Sequence, residues 1–325
     1  MNQASFSSLV VPVLPAIGLP TSFWKPAPAA VPRRKERWWL HGLLFAATFL
    51  TTTYAGVVFA AGFRPALLLR MERAPSLFDP RLFKEGLVFS LPLLAILLAH
   101  ELGHYLMCRR YGIDASPPYF IPFPPQISLV GTMGAFIRIR EQIRDKRQLF
   151  DMAVAGPIAG FAVAVPLLAW GVSHSRVNPS PALSEGTVIF QYPILVQLFQ
   201  KLFAGTTYTS VDVVEHPVFL AAWFGLFVTA LNLLPLGQLD GGHAVYAVFG
   251  RLQRVLALPL LVVLAVLGLK WPGWWVWVLF TLVTGIRHPP VTNEGEPLDD
   301  RRKLVAAGVL LIFVLCFAPV PIQVL

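Results

Sequence analysis

Apolar residues run through this chain in blocks of membrane-spanning length. A helix needs about 20 predominantly apolar residues to cross a bilayer. Such blocks lie near residues 38–63, 87–108, 150–172, 218–234 and 304–320, with two shorter ones near 255–269 and 271–285. The pattern predicts an all-α polytopic membrane protein with about six or seven transmembrane helices. Lys270-Trp271-Pro272-Gly273 reads as a tight turn between two crossings, and Trp274, Trp275 and Trp277 as interfacial anchors. One interval departs from the helical pattern. The stretch from Gly131 through Thr132, Met133, Gly134, Ala135 and Phe136 to Arg140 ends in alternating apolar and basic residues, and its glycines suggest a turn. It predicts a β-hairpin. Pro117, Pro118, Pro122, Pro124 and Pro125 make the approach to it extended.

Composition agrees with a bilayer protein. Of 325 residues, 56% are hydrophobic and 13% charged, where soluble domains run nearer a quarter charged. Mean hydropathy is +0.64. The net charge of +9 does not call for nucleic acid, because multispanning proteins collect Lys and Arg in their cytoplasmic loops. If the N-terminal segment, the loop after the second block and the segments around residues 251–254 and 287–303 share a side, that side holds 18 of the 26 basic residues. The N-terminus is then expected in the cytoplasm and the C-terminus outside. The two cysteines, Cys108 and Cys316, suggest neither a disulfide framework nor a cysteine-type zinc site.

Four regions are expected: a disordered tail over 1–37, the first span and outer loop over 38–86, a core over 87–256, and C-terminal helices with a cytoplasmic linker over 257–325. Residues 1–30 are rich in Pro and Ser and lack the basic start and compact apolar core of a signal peptide. The outer segment 173–216 is too short for a well-stabilised soluble domain. An amphipathic surface helix is expected within it, at about 192–203. The linker 287–303 is polar and Pro-rich, and His288 there is expected to be solvated.

The chemistry concentrates at His100-Glu101-Leu102-Gly103-His104. On a helix, two histidines four apart share one face and can grip one metal, while the glutamate beside them can take a proton from a metal-activated water. Three ionisable groups within five membrane-embedded residues are costly without compensation, and a divalent metal supplies it. Catalytic zinc usually takes three protein ligands. Asp240, which follows the fourth block at the same depth as the end of the second, is the candidate third. Taken alone it reads more readily as the N-cap of a helix over about 244–256, and HELGH at the same depth favours the ligand reading. His243, three residues on, offers a fourth ligand, but reads more readily as a helix-start residue or a hydrogen-bond partner of a ligand carboxylate. Asn232 reads as an interhelical hydrogen bonder, and Pro235 as the helix break that turns Asp240 inward. Gly156 and Gly160 form a small-xxx-small packing pattern.

With HELGH at 100–104 and the Asn-x-x-Pro…Leu-Asp-Gly block at 232–241, the chain resembles the site-2 protease family of intramembrane metalloproteases over about residues 87–250. The resemblance implies a three-helix catalytic core with a membrane-associated β-hairpin and one Zn2+ per chain, held by His100, His104 and Asp240. It implies Glu101 as the water-activating base and Asn232 as a contact to substrate backbone or oxyanion. It also implies residues 131–136 as a substrate-pairing edge. The partners are then the lipid bilayer and a membrane protein whose transmembrane helix is cut near its cytoplasmic end. Relatives with a PDZ domain carry it in the outer segment, where this chain has no room for a full one. The alternative is a catalytically silent scaffold or transporter that retains the metal site.

Overall fold

The computed structural model describes residues 36–64, 67, 77, 79–124, 127–178, 187–209, 211–286, 288 and 290–324. The tail expected over 1–37 lies, as far as Lys35, outside the described residues. Four helical stretches are long and apolar enough to cross a membrane: α1 (Trp38–Phe63), α2 (Pro80–Arg110), α3 (Lys146–His174) and the run Asp240–Leu267. That last run is α6 (Asp240–Phe249), a 3-10 turn (Gly250–Leu252) and α7 (Gln253–Leu267). Shorter apolar helices are α4 (Ile194–Ala204), α5 (Pro217–Asn232) and α8 (Gly273–Thr284). The last helix among the described residues is α9 (Asp300–Cys316).

The sequence pattern suggested longer crossings at α5 and α8, and their boundaries explain the difference. Pro235 restricts helix continuation beyond α5. Pro272 and Gly285 bracket α8. In α5, 13 of 16 residues are buried, so it is a core helix surrounded by protein. Its Trp223 and Leu226 pack with Phe89, Leu93 and Ile96 of α2 and Leu168 of α3. α2 and α3 begin with acidic caps: Asp79 accepts from the Arg81 N–H at 2.8 Å, and Asp145 from the Gln148 N–H at 2.9 Å.

The strand content is small and antiparallel. β1 (Tyr119–Pro122) pairs with β2 (Thr132–Phe136), Tyr119 opposite Phe136 and Phe120 opposite Ala135. The glycines do not form a turn within 131–140, as the sequence suggested. The partner strand comes instead from the Pro-rich approach, and Gly131 closes the connection at φ 76°. Its carbonyl accepts from Thr51 Oγ1 at 2.6 Å, which holds the strand pair against α1. Glu36 pairs with Arg140, and His41 Nδ1 lies 3.1 Å from the Pro118 carbonyl, so the start of α1 shares a side with this pair.

At the other ends of the helices, β3 (Arg176–Val177) pairs with β5 (Val213–Val214). β4 (Val188–Phe190) pairs with β6 (Ile322–Val324), Ile189 opposite Gln323. Back on the β1–β2 side, Arg302 of α9 grips both carboxylate oxygens of Asp151 on α3, at 2.8 and 2.6 Å. Tyr111, just past α2, donates to the same carboxylate, so one charge-assisted cluster ties three helices.

Candidate metal centre

His100 and His104 stand one turn apart on α2, both inside the protein, with Nε2 atoms 3.1 Å apart. Oδ2 of Asp240 lies 3.3 Å from His100 Nε2 and 3.2 Å from His104 Nε2. A tetrahedral site with metal–ligand bonds near 2.0–2.1 Å has ligand-to-ligand edges of roughly 3.3–3.4 Å. The three atoms therefore already outline one face of such a site. Two imidazoles and a carboxylate are also a donor set that suits zinc. Among the described residues this is the one group of three or more His, Cys, Asp or Glu placed to hold a metal.

The neighbouring helices aim these atoms. His104 Nδ1 lies 2.7 Å from the Met152 carbonyl of α3. That nitrogen must carry the proton and donate, which leaves the Nε2 lone pair for a metal. The ring fits because α3 places Gly156 behind it. A Cβ at Gly156 would sit 2.1 Å from His104 Nε2, and one at Gly103 would sit 2.4 Å from the Ala155 carbonyl oxygen. Sequence reading saw Gly156 as packing alone. The packing partner is the His104 ring itself.

Asp240 opens α6, but the capping position belongs to Leu239 and no side chain caps this helix. The carboxylate is thus directed at the histidines. Gly241 and Gly242 allow the sharp entry into α6, since Cβ atoms there would lie 2.0 Å from the Leu233 carbonyl oxygen and 2.5 Å from that of Gly237. Their part in aiming Asp240 was missed from sequence. The Asp-Gly-Gly run was visible, but the backbone it had to clear was not.

A cavity of about 550 Å³ opens over the three ligands. Glu101 lines it and is only 7% exposed. Asn232, the last residue of α5, also lines it. Its Nδ2 lies 3.2 Å from His100 Nε2, an interhelical contact beside the metal position. Of the expected substrate-pairing residues, Ala135 and Phe136 line the cavity. Gly131 packs on Thr51. Thr132 is buried and bonds internally, donating to the Ile121 carbonyl at 2.8 Å and accepting from the Gly134 N–H at 3.0 Å. Met133 is exposed, and Gly134 sits at φ 95°. Among the described residues β2 pairs with β1 and with no other strand.

The opposite wall brings together residues that the sequence did not connect. His243 lines the cavity, and its Nδ1 lies 2.6 Å from His288 Nε2. His288 was expected to be solvated. It is half-buried and stacked on Tyr246, because the segment after α8 folds back over α6. Pro290 and Val291 of that segment complete the wall.

The profile of peptidase family M50 matches residues 88–267 of this chain. A probable zinc metalloprotease EGY1, chloroplastic, of Arabidopsis thaliana is 32% identical over 292 residues, which cover 86% of this chain and 52% of that protein. A probable zinc metalloprotease EGY2, chloroplastic, of Oryza sativa subsp. indica is 32% identical over 263 residues, covering 78% and 46%. An EGY3 counterpart from Oryza sativa subsp. japonica is 26% identical over 295 residues, covering 83% and 47%. The chain spans about half the length of the curated relatives it matches.

Proposed function

The chain belongs to peptidase family M50, the site-2 proteases, and on that premise we propose that it is a zinc-dependent endopeptidase that cuts transmembrane segments of membrane proteins near the cytoplasmic face. The observation that carries this reading is the convergence of His100 Nε2, His104 Nε2 and Asp240 Oδ2 at 3.1–3.3 Å beside a buried glutamate. Zinc in such a site polarises a carbonyl and brings the pKa of water toward about 7.

The chain's own residues do the rest. Glu101 takes one proton from the attacking water as its oxygen bonds to the scissile carbonyl carbon. It returns that proton to the leaving nitrogen as the C–N bond breaks. Asn232 offers an amide N–H beside His100, where the oxyanion develops. The edge of β2 not taken by β1 pairs with an unwound substrate segment, with Ala135 and Phe136 toward the cavity. Unwinding is required because a helix shields its own peptide groups in intrahelical hydrogen bonds. The basic residues around the start of α1, the end of α2 and the start of α9 support a cytoplasmic position for this end of the molecule.

Metal removal tests the reading. Protein in liposomes with a membrane-embedded reporter is expected to cleave it, to stop after dialysis against a zinc chelator, and to recover on stoichiometric zinc. Cleavage that survives complete zinc loss would sink the assignment.

A further inference from the structure

On another face of α6 from Asp240 and His243 lies a second cavity, of about 330 Å³, and none of its lining residues lines the cavity over the ligands. Its floor is buried: Phe150 of α3, Leu233, and Gly241 and Ala244 of α6. Its rim is exposed: Phe249 of α6, and Lys303, Ala307 and Leu310 of α9. It is therefore a crevice that opens sideways between α6 and α9. The exposed surface beside it is apolar, with Leu304 and Leu311 outermost, as on a helix turned to lipid. Among the described residues Lys303 is the one charged member of the lining. Its ammonium meets Asp300 at 2.9 Å, but both side chains are exposed, and such pairs hold weakly. Two further donors remain for a second anion. Lys146 stands close by, since its Nζ would lie 3.4 Å from a Cβ at Gly250, the residue after Phe249.

The dimensions select the occupant. Lys303 is in the first turn of α9, and Phe313, the deepest lining residue on that helix, is ten residues on. At 1.5 Å per residue they are about 15 Å apart, half of a hydrocarbon core about 30 Å thick. The crevice thus runs from headgroup level to the bilayer midplane, the reach of one lipid chain. A substrate helix does not fit. With its side chains a helix is about 10–12 Å across, so 15 Å of it fills roughly 1,200 Å³ or more.

We propose that this crevice binds one acyl chain of an anionic phospholipid, its phosphate on Lys303 and Lys146, and that the chain braces the backbone carrying Asp240. Basic sites between transmembrane helices on the cytoplasmic side take such headgroups. The chain lies against Leu233 and Gly241, and Gly241 is the residue next to Asp240. The backbone is tight there, since a Cβ at Gly241 would stand 2.0 Å from the Leu233 carbonyl oxygen. Without an occupant, the floor lacks contacts on its outer side. The effect on activity rests on the protease reading, and the binding does not.

The test uses the full chain in phosphatidylcholine liposomes that contain a trace of phosphatidylglycerol with a photoreactive diazirine in its acyl chain, or of phosphatidylcholine with the same group. After photolysis, peptide mapping is expected to place the phosphatidylglycerol label on residues 244–249 and 306–313, at about ten times the yield of the phosphatidylcholine label. Lys303→Glu brings the two labels to equal yield. Ala307→Trp, which fills the mouth from its exposed side, removes both. Equal yields in the wild type, label spread over the whole apolar surface, or a preference that survives Lys303→Glu overturns the proposal. So does a dimer that Ala307→Trp dissociates, because the crevice then belongs to a second copy. Lys303→Glu alters an exposed side chain, so the headgroup preference remains testable if Ala307→Trp does not fold. With a membrane-embedded reporter, adding phosphatidylglycerol to the liposomes is expected to raise wild-type cleavage several-fold and to leave Lys303→Glu unchanged. Cleavage indifferent to the lipid refutes the brace. Labelling as expected with no cleavage in any lipid leaves the lipid site standing and sinks the protease reading.

Discussion

Gly156→Ala is expected to empty the metal site, although no atom of Gly156 is a ligand. The added methyl would lie 2.1 Å from the ligating nitrogen of His104 and 2.4 Å from the adjacent ring carbon. The ring cannot stay. It either leaves its rotamer, losing its bond to Met152, or pushes α2 and α3 apart, and overpacking of that kind costs about 1–3 kcal/mol. Each route withdraws one of three ligands. Zinc affinity should fall at least about 100-fold, and proteolysis with it. Gly160→Ala is the built-in control, since its methyl would stand 3.2 Å from the His100 Cβ and leaves the ligating nitrogens clear. Zinc content after dialysis separates the two. Equal retention in both variants would mean that the helices give way without disturbing the histidine.

Glu101→Gln should abolish cleavage while leaving zinc bound. The carboxamide keeps the shape but cannot accept the proton of the attacking water, and general acid–base groups contribute about 10²–10⁴ in rate. Glu101 is outside the three-atom ligand cluster, so metal retention should be unchanged. This pair of results separates an enzyme from a silent scaffold that merely retains the metal. A scaffold has no use for the carboxylate. A time course with the membrane-embedded reporter, run beside a zinc assay, reads both. Cleavage by the glutamine variant at the wild-type rate would remove Glu101 from the mechanism.

The approach of Asp240 to the two histidines was legible because it follows from depth. Two segments, each ending near one membrane face, bring their terminal residues to one level, and Pro235 marks where the chain must turn. The helix lengths were less legible. Apolar runs cannot distinguish α5, wrapped in protein, from a helix wrapped in lipid, so the run 218–234 finds the helix but not its buried setting. The place of Gly156 was hidden for another reason. Small-residue spacing signals that something comes close, and its identity depends on a contact across 52 residues. The segment around His288 carries no periodicity at all. Its polar, Pro-rich composition reads as a loop, and only the ring contacts with His243 and Tyr246 show that it forms a wall of the cavity.

The pairing of β4 with β6 sets an order on biosynthesis. Ile189 meets Gln323, so this strand pair can close only after α9, which lies between the two partners, has been made. Ladders between such distant partners are slow to close and leave strand edges unprotected meanwhile. α2, α3 and α5, which carry most of the site, can pack before that closure. Asp240 opens α6, the helix after α5, so the three candidate ligands are all present in the chain before β6 is made.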